Sequence, residues 1–106
     1  MDTNSALGKL FPRGDSNKSD HDKLQWDKLP WEEVEKIVEV MMYGANKYVM
    51  DSWKSVASER YEAAMIRHYV SWKKGEKIDK ESGLSHLAHM ACNLMFVMWL
   101  EEHKNG

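Results

Sequence analysis

Two histidines and an asparagine interrupt the most apolar stretch of the sequence. His86, His89 and Asn93 fall between Leu84 and Leu100, where a plain core would place leucine. His86 and His89 are spaced i, i+3, so a helix carries both rings towards one side. Asp79 and Glu81 stand just upstream, beside the positive end of such a helix. Ser82 and Gly83 offer backbone N–H groups there, an arrangement that favours anions. Imidazoles, carboxylates and an anion-binding helix start within one segment suit metal-assisted hydrolysis of a phosphoanhydride. In that chemistry a cation bridges the phosphates, a base orients water, and cationic side chains take up the developing charge. A plainer account uses the same residues: His86, His89 and Asn93 form a buried hydrogen-bond network that fixes packing between subunits. On periodicity alone the plainer account is somewhat the stronger. There is no Cys–His zinc pattern, no His-Glu-x-x-His, no phosphate-binding glycine loop and no nucleophile elbow.

Three helices must position these residues. The first is predicted from Trp31 to about Tyr48, entered through Pro30, which suits a helix entrance and not its interior. At 100° per residue, Val34, Ile37, Val38, Met41, Ala45 and Tyr48 share a face. Glu32, Glu35 and Glu39 form a stripe beside it. A solvated face is the simpler account of that stripe. The sharper one is a contribution to a divalent-cation site, with Glu35 and Glu39 best placed because they border the core face. Gly44 marks either the end of this helix or a close crossing. A connection carrying Trp53 leads to a second helix from about Ser58, read as its N-cap, to Lys74. On it Tyr61, Ala64, Met65, His68 and Trp72 share one face, and Arg60, Arg67 and Lys74 another. His68 alone reads as a core histidine. The basic stripe reads first as a solvated face and second as a phosphate contact.

Gly75 closes the second helix, and an acidic connection leads to the third, from about Leu84 to His103. Leu84, Leu87, Ala88, Ala91, Leu94, Met95 and Met98 make one face of it. His86, His89 and Asn93, continued by Phe96, Val97 and Leu100, lie nearly opposite. A helix apolar on both sides is buried on both sides. The second side is most simply covered by another subunit, so the expected architecture is all-α, three helices per chain completed into a bundle by homo-oligomerisation. Residues 1–22, rich in Asp, Asn, Ser, Gly and Lys, read as a flexible arm, and 23–106 as a single helical domain.

Composition narrows the function classes. The 106 residues suffice for one modest core. Fifteen Lys+Arg against seventeen Asp+Glu give a net charge of -2. This argues against a general nucleic-acid or membrane-surface binder, which needs a basic excess. The single Cys92 cannot form an intrachain disulfide and reads as a buried thiol in a reducing compartment. With no signal-peptide pattern and no convincing membrane span, a cytoplasmic protein is expected.

Four blocks then carry a family likeness. They are Lys23-Leu24-x-Trp26-Asp27-x-Leu29-Pro30; Tyr43-Gly44-Ala45-x-Lys47-Tyr48 with Trp53; Arg60-Tyr61-x-x-Ala64-x-x-Arg67-His68; and Gly75-Glu76-x-x-Asp79-x-Glu81-Ser82-Gly83-x-x-His86-Leu87-x-His89. Together they resemble the phage dATP/dGTP diphosphohydrolase family, over about residues 22–100, and the last block is the most specific. The resemblance implies a small all-helical domain, similar in style to the MazG-like enzymes. It also implies hydrolysis of a purine deoxynucleoside triphosphate between its α- and β-phosphates, with Mg2+ or Mn2+, in the host cytoplasm if phage-encoded.

On that footing His86, His89 and Asp79, with Glu35 or Glu39, hold the cation. Lys47, Arg60 and Arg67 contact phosphates, Tyr48 or Trp53 stacks on the base, and His68 or Glu81 orients the attacking water. One departure stands out. MazG-like enzymes hold metal on a Glu-Glu-x-x-Glu helix and a Glu-x-x-Asp helix, whereas here Arg67-His68 and His86-x-x-His89 occupy the corresponding places. Imidazole is a poor Mg2+ ligand and a good one for Mn2+, Co2+, Ni2+ or Zn2+. Either the acids come from Glu35, Glu39, Asp79 and Glu81, or the metal is a softer one, or the histidines bind phosphate or base. Two other readings remain: a non-catalytic helical phage protein that docks a partner through its third helix, and a histidine–aspartate phosphohydrolase. The second is weakened because the one His-Asp step, at His21-Asp22, lies in the arm.

Overall fold

The computed structural model describes residues 22–47 and 52–104, with only the backbone of Asn46 and Lys47. The arm expected over 1–22 lies almost wholly outside the described residues, as does Tyr48. Two compact units divide the chain, 1–34 and 35–106, so that the boundary falls inside the first helix.

In the first unit a 3-10 turn, Trp26–Lys28, precedes the helix. The carbonyl of Pro30 then accepts from the N–H groups of Glu33 and Val34 at 3.0 and 3.1 Å, which sets the helix entrance at the proline. Helix α1 is Trp31–Lys47.

The second unit is built on an antiparallel helix pair. Helix α2 is Ser58–Lys73 and helix α3 is His86–His103. Among the described residues there is no strand, only an isolated antiparallel bridge between Ile78 and Ser85. The architecture is all-α, as expected, and no described helix is long and apolar enough to cross a membrane.

The start of α2 differs from expectation. Ala57 is its N-cap residue, with the Arg60 N–H on the Ala57 carbonyl at 3.0 Å. Ser58 sits one residue further in, and its hydroxyl donates to Glu62 at 2.9 Å instead of capping. The other end is a Schellman closure. Gly75 N–H reaches the Trp72 carbonyl and Glu76 N–H the Ser71 carbonyl, both at 3.0 Å. This closure needs the left-handed backbone of Gly75, at φ 106°, and it points the chain at Glu76 back across the pair.

The core sits where α1 meets α3. Val40, Ala88 and Cys92 are buried, with Ile37, Met41, Leu84 and Phe96 packed against them. The buried face of α1 is therefore rotated from the expected one: Val40 is inside, while Val38 is 46% exposed. Gly44 neither ends α1 nor marks a close crossing. The helix runs on to Lys47, and a Cβ at Gly44 would meet nothing within 4 Å.

Helix α3 also turns a different face inward. His86, Ala88 and Cys92 are buried, and Phe96 continues their line. Leu87, Leu94, Met95 and Met98, expected inside, are 42% to 55% exposed. Further along, Trp53 stacks on Phe96 at 4.3 Å and 14° and meets the edge of Trp99 at 5.1 Å. Tyr61 packs on Phe96 and donates its hydroxyl to the Trp53 carbonyl at 3.1 Å. This aromatic group pins the 3-10 turn Ser52–Ser55 to the helix pair.

Candidate functional site

The turn between α2 and α3 is built to hold polar side chains still. Asp79 N–H donates to the Leu84 carbonyl and Gly83 N–H to the Asp79 carbonyl, both at 2.8 Å, while His86 N–H donates to the Lys77 carbonyl at 3.0 Å. Gly83 takes φ 73°, a conformation that side chains rarely adopt, and so lets six residues close the loop. Ser85 caps α3, its hydroxyl accepting from Leu87 and Ala88 N–H at 3.1 and 3.3 Å.

These bonds correct one sequence expectation. The anion-binding N–H groups placed at Ser82 and Gly83 are already used, by the Asp79 side chain and the Asp79 carbonyl. The helix starts three residues later, and its first amides are taken by Lys77 and Ser85.

Around this turn three histidines converge. His86 is 3% exposed. Its Nε2 lies 2.9 Å from Glu76 Oε1 and its Nδ1 lies 2.8 Å from Nδ1 of His68 on α2. A carboxylate only accepts, so Nε2 of His86 carries a proton. His68 and His86 share one proton between their Nδ1 atoms, and whichever ring carries it donates to the lone pair of the other. His68 stacks on His89 at 4.4 Å and 10°.

A second chain of bonds runs through Ser82. Its hydroxyl lies 2.8 Å from Asp79 Oδ2, 2.7 Å from His89 Nε2 and 3.2 Å from Leu84 N. One proton serves all three contacts only if the hydroxyl donates to the carboxylate and accepts from His89 Nε2–H and Leu84 N–H. Asp79 Oδ2 also accepts the Ser82 N–H at 2.9 Å and lies 3.7 Å from His89 Nε2.

The electrostatics follow from this packing. Burial, then the neighbouring His89 and His86, push the His68 pKa down to about 4. Burial lowers that of His89 as well, only partly opposed by Asp79. Burial alone would raise the Asp79 carboxyl, but the two Ser82 hydrogen bonds and the nearby His89 and His68 together bring it below its ordinary value. The His86 hydrogen bond does the same for Glu76. At neutral pH His68 and His89 are neutral rings and both acids are ionised, the state in which such groups bind cations.

His68, Asp79 and His86 can each bring a ligand atom within 4.8 Å of the other two. Donors around a first-row cation at about 2.1 Å stand roughly 3 to 4 Å apart, so small side-chain adjustments suffice. The donor set of two imidazoles and one carboxylate fits a divalent cation.

The structure thus brings together His68, Asp79, His86 and His89 of the expected site, and gives His68 a place among the donors. Glu35 and Glu39 are exposed on α1 and do not join them. Glu39 instead lines a shallow pocket of about 210 Å³ with Lys36, Ile78, Gly83, Leu84 and Ser85. Glu81 is exposed, its charge acting on His89. Arg60 and Arg67 are exposed on α2, Arg67 next to His68. Trp53 packs beside Phe96, about 10 Å along α3 from His89 at 1.5 Å per residue. Tyr48 and the Lys47 side chain lie outside the described residues. Sequence reasoning missed Glu76 and the Ser82 hydroxyl. The signal for Glu76 was Gly75, whose helix closure aims the next residue back at the pair.

Fold and site define a small all-α domain with an imidazole–carboxylate cluster at a helix entrance. The family described as dATP/dGTP diphosphohydrolase, N-terminal, matches residues 13–106, and the chain belongs to that family. A dATP/dGTP diphosphohydrolase of Salmonella phage PMBT28 is 38% identical over 66 residues, covering 62% of this chain and 23% of that relative. The chain therefore matches less than a quarter of the relative's length. No solved structure matches it.

Proposed function

We propose that this domain serves a metal-dependent diphosphohydrolase that cleaves dATP or dGTP to the deoxynucleoside monophosphate and pyrophosphate. The observation that carries the reading is the convergence of His68, Asp79 and His86 ligand atoms at the entrance of α3. The family and the named activity of the phage relative supply the substrate class. A divalent cation, when bound, supplies neutralisation of the triphosphate charge. The chain's own residues do the rest. Glu76 and Ser82 hold His86 and Asp79 in place, and neutral His89 stands beside them to orient water. Arg67, exposed on α2, is the cation assigned to a phosphate in this reading.

The test is incubation of the chain with each dNTP and Mg2+, Mn2+ or Co2+, followed by product identification. The reading expects pyrophosphate and dNMP, from dATP and dGTP above the pyrimidines. Tripolyphosphate with nucleoside, or no turnover with any of the three cations, contradicts it.

The exposed stripe Leu87, Leu94, Met95 and Met98 favours a second reading, a non-catalytic helical domain docking a partner through α3. It expects neither nucleotide turnover nor an effect of cation on docking.

A further inference from the structure

We infer that the cluster at the α3 entrance is a nitrogen-preferring transition-cation site, taking Zn2+ or Co2+ in preference to Mg2+, and that its cation staples α2, the 76–85 turn and α3 together. The inference rests on the cation site assigned above and adds the metal class and a structural role.

The donors come from three separate segments. His68 lies in the third turn of α2, Asp79 in the connecting turn, and His86 at the first position of α3. A cation held by all three closes the helix hairpin at its connected end. The far end is closed by other means, the aromatic group of Trp53, Tyr61, Phe96 and Trp99. The turn end has a thinner apolar complement: Ile78 and Leu87 are 50% and 46% exposed. Polar contacts among His68, His86, Glu76, Asp79 and Ser82 do the joining there.

The surrounding bonds are those a metal centre requires. A ligating histidine commonly gives its other ring N–H to a carboxylate, which fixes its tautomer and sharpens its basicity. Glu76 does this for His86, at 2.9 Å on Nε2, and so turns Nδ1 towards His68. Ser82 does it for Asp79, with both its N–H and its hydroxyl on Oδ2. His68 is held by its stack on His89, which Ser82 anchors in turn. Each of the three donors is therefore oriented by a neighbour that is not itself a donor.

The donor chemistry selects the metal. Mg2+ demands hard oxygen ligands and keeps most of its water, whereas imidazole suits Zn2+, Co2+ and Ni2+. Two nitrogens and one oxygen make a poor Mg2+ site. The two Nδ1 atoms now 2.8 Å apart need open by about half an ångström, and give up the proton between them, to share one cation at about 2.1 Å.

The experiment uses the whole chain, stripped with chelator and free of nucleotide. Co2+ is titrated against visible absorption, and thermal unfolding is followed with Zn2+ or Mg2+. A single saturable Co2+ site is expected. Zn2+ at a hundredfold excess over its Kd should raise Tm by about 10 to 20 °C, with Mg2+ moving it by a degree or two at most. Asp79→Asn and His68→Gln, both at half-buried positions, should abolish the Zn2+ shift. Glu76→Gln should retain the site with Co2+ affinity weakened about 10- to 100-fold.

An equal Tm gain from Mg2+ overturns the inference, as does a Zn2+ shift that survives both donor variants. Cobalt binding without dNTP cleavage leaves this inference standing and removes the diphosphohydrolase reading. Cleavage supported by Mg2+ with no cobalt signal does the reverse.

Discussion

Removing the hydroxyl of Ser82 should loosen the whole cluster, because one oxygen joins its two halves. In Ser82→Ala three contacts go at once: to Asp79 Oδ2 at 2.8 Å, to His89 Nε2 at 2.7 Å and to Leu84 N at 3.2 Å. A hydrogen bond to a charged group contributes about 1.5 to 3 kcal/mol and a neutral one about 0.5 to 1.5. The groups are half-buried and water can replace part of each bond, so the net loss is about 2 kcal/mol. For a domain of this size that lowers Tm by about 10 °C. Ser82→Thr retains the hydroxyl and should recover most of it. The loss should also change with acid. The Asp79 carboxyl lies below its ordinary value in the fold, so its contribution to stability is present above the unfolded pKa and fades as pH falls through the folded one. Without the Ser82 hydroxyl that pKa rises, and the variant should lie closer to wild type at low pH than at pH 7. Urea unfolding of both proteins across pH 3 to 7 measures this. A Ser82→Ala difference under about 0.5 kcal/mol at pH 7, or one independent of pH, refutes the proton assignment through Ser82.

Other outcomes follow from the same structure. His68, with its pKa down to about 4, is a ring that the unfolded chain protonates more readily, so stability should be full above about pH 6.5 and fall as pH drops towards 4. His68→Gln should flatten that slope in urea titrations, and an unchanged slope would count against its burial as a neutral ring. Cys92 is 2% exposed with its thiol raised to about 11, so a thiol reagent at pH 8 should label it only after unfolding. Trp53→Ala should cost about 2 kcal/mol through its lost contacts with Phe96 and Trp99, yet leave Co2+ affinity unchanged, since the stack lies two turns of α3 away.

The helices were legible in the sequence because their punctuation is local. Pro30 opens α1, Gly75 closes α2, and apolar spacing fills the intervals. The inward face of α3 was not legible, since a helix apolar on every side carries no direction of its own. Leu87, Leu94 and Met98 looked like core, yet the line of His86, Cys92 and Phe96 faces inward. The site was legible in part. His86, His89 and Asp79 showed themselves by type and nearness, but His68 by its pattern looked like an ordinary core histidine and entered the site only through the family resemblance, as a water-orienting residue and not as a cation ligand. What joins it to His86 is the return of the chain over the 76–85 turn, a tertiary event. The misplaced anion site has a similar cause. Ser82 and Gly83 read as a helix start, but the Ile78–Ser85 bridge delays the helix to His86 and consumes the amides in closing the turn.

The central claim is that His68, Asp79 and His86 hold one cation between them. X-ray absorption at the zinc edge of the chain loaded with one equivalent of Zn2+ tests it most directly. The expected first shell contains two imidazoles, seen by their multiple scattering, together with at least one oxygen, and one imidazole is lost in His68→Gln. An all-oxygen shell, or a two-imidazole shell unchanged in that variant, would contradict it.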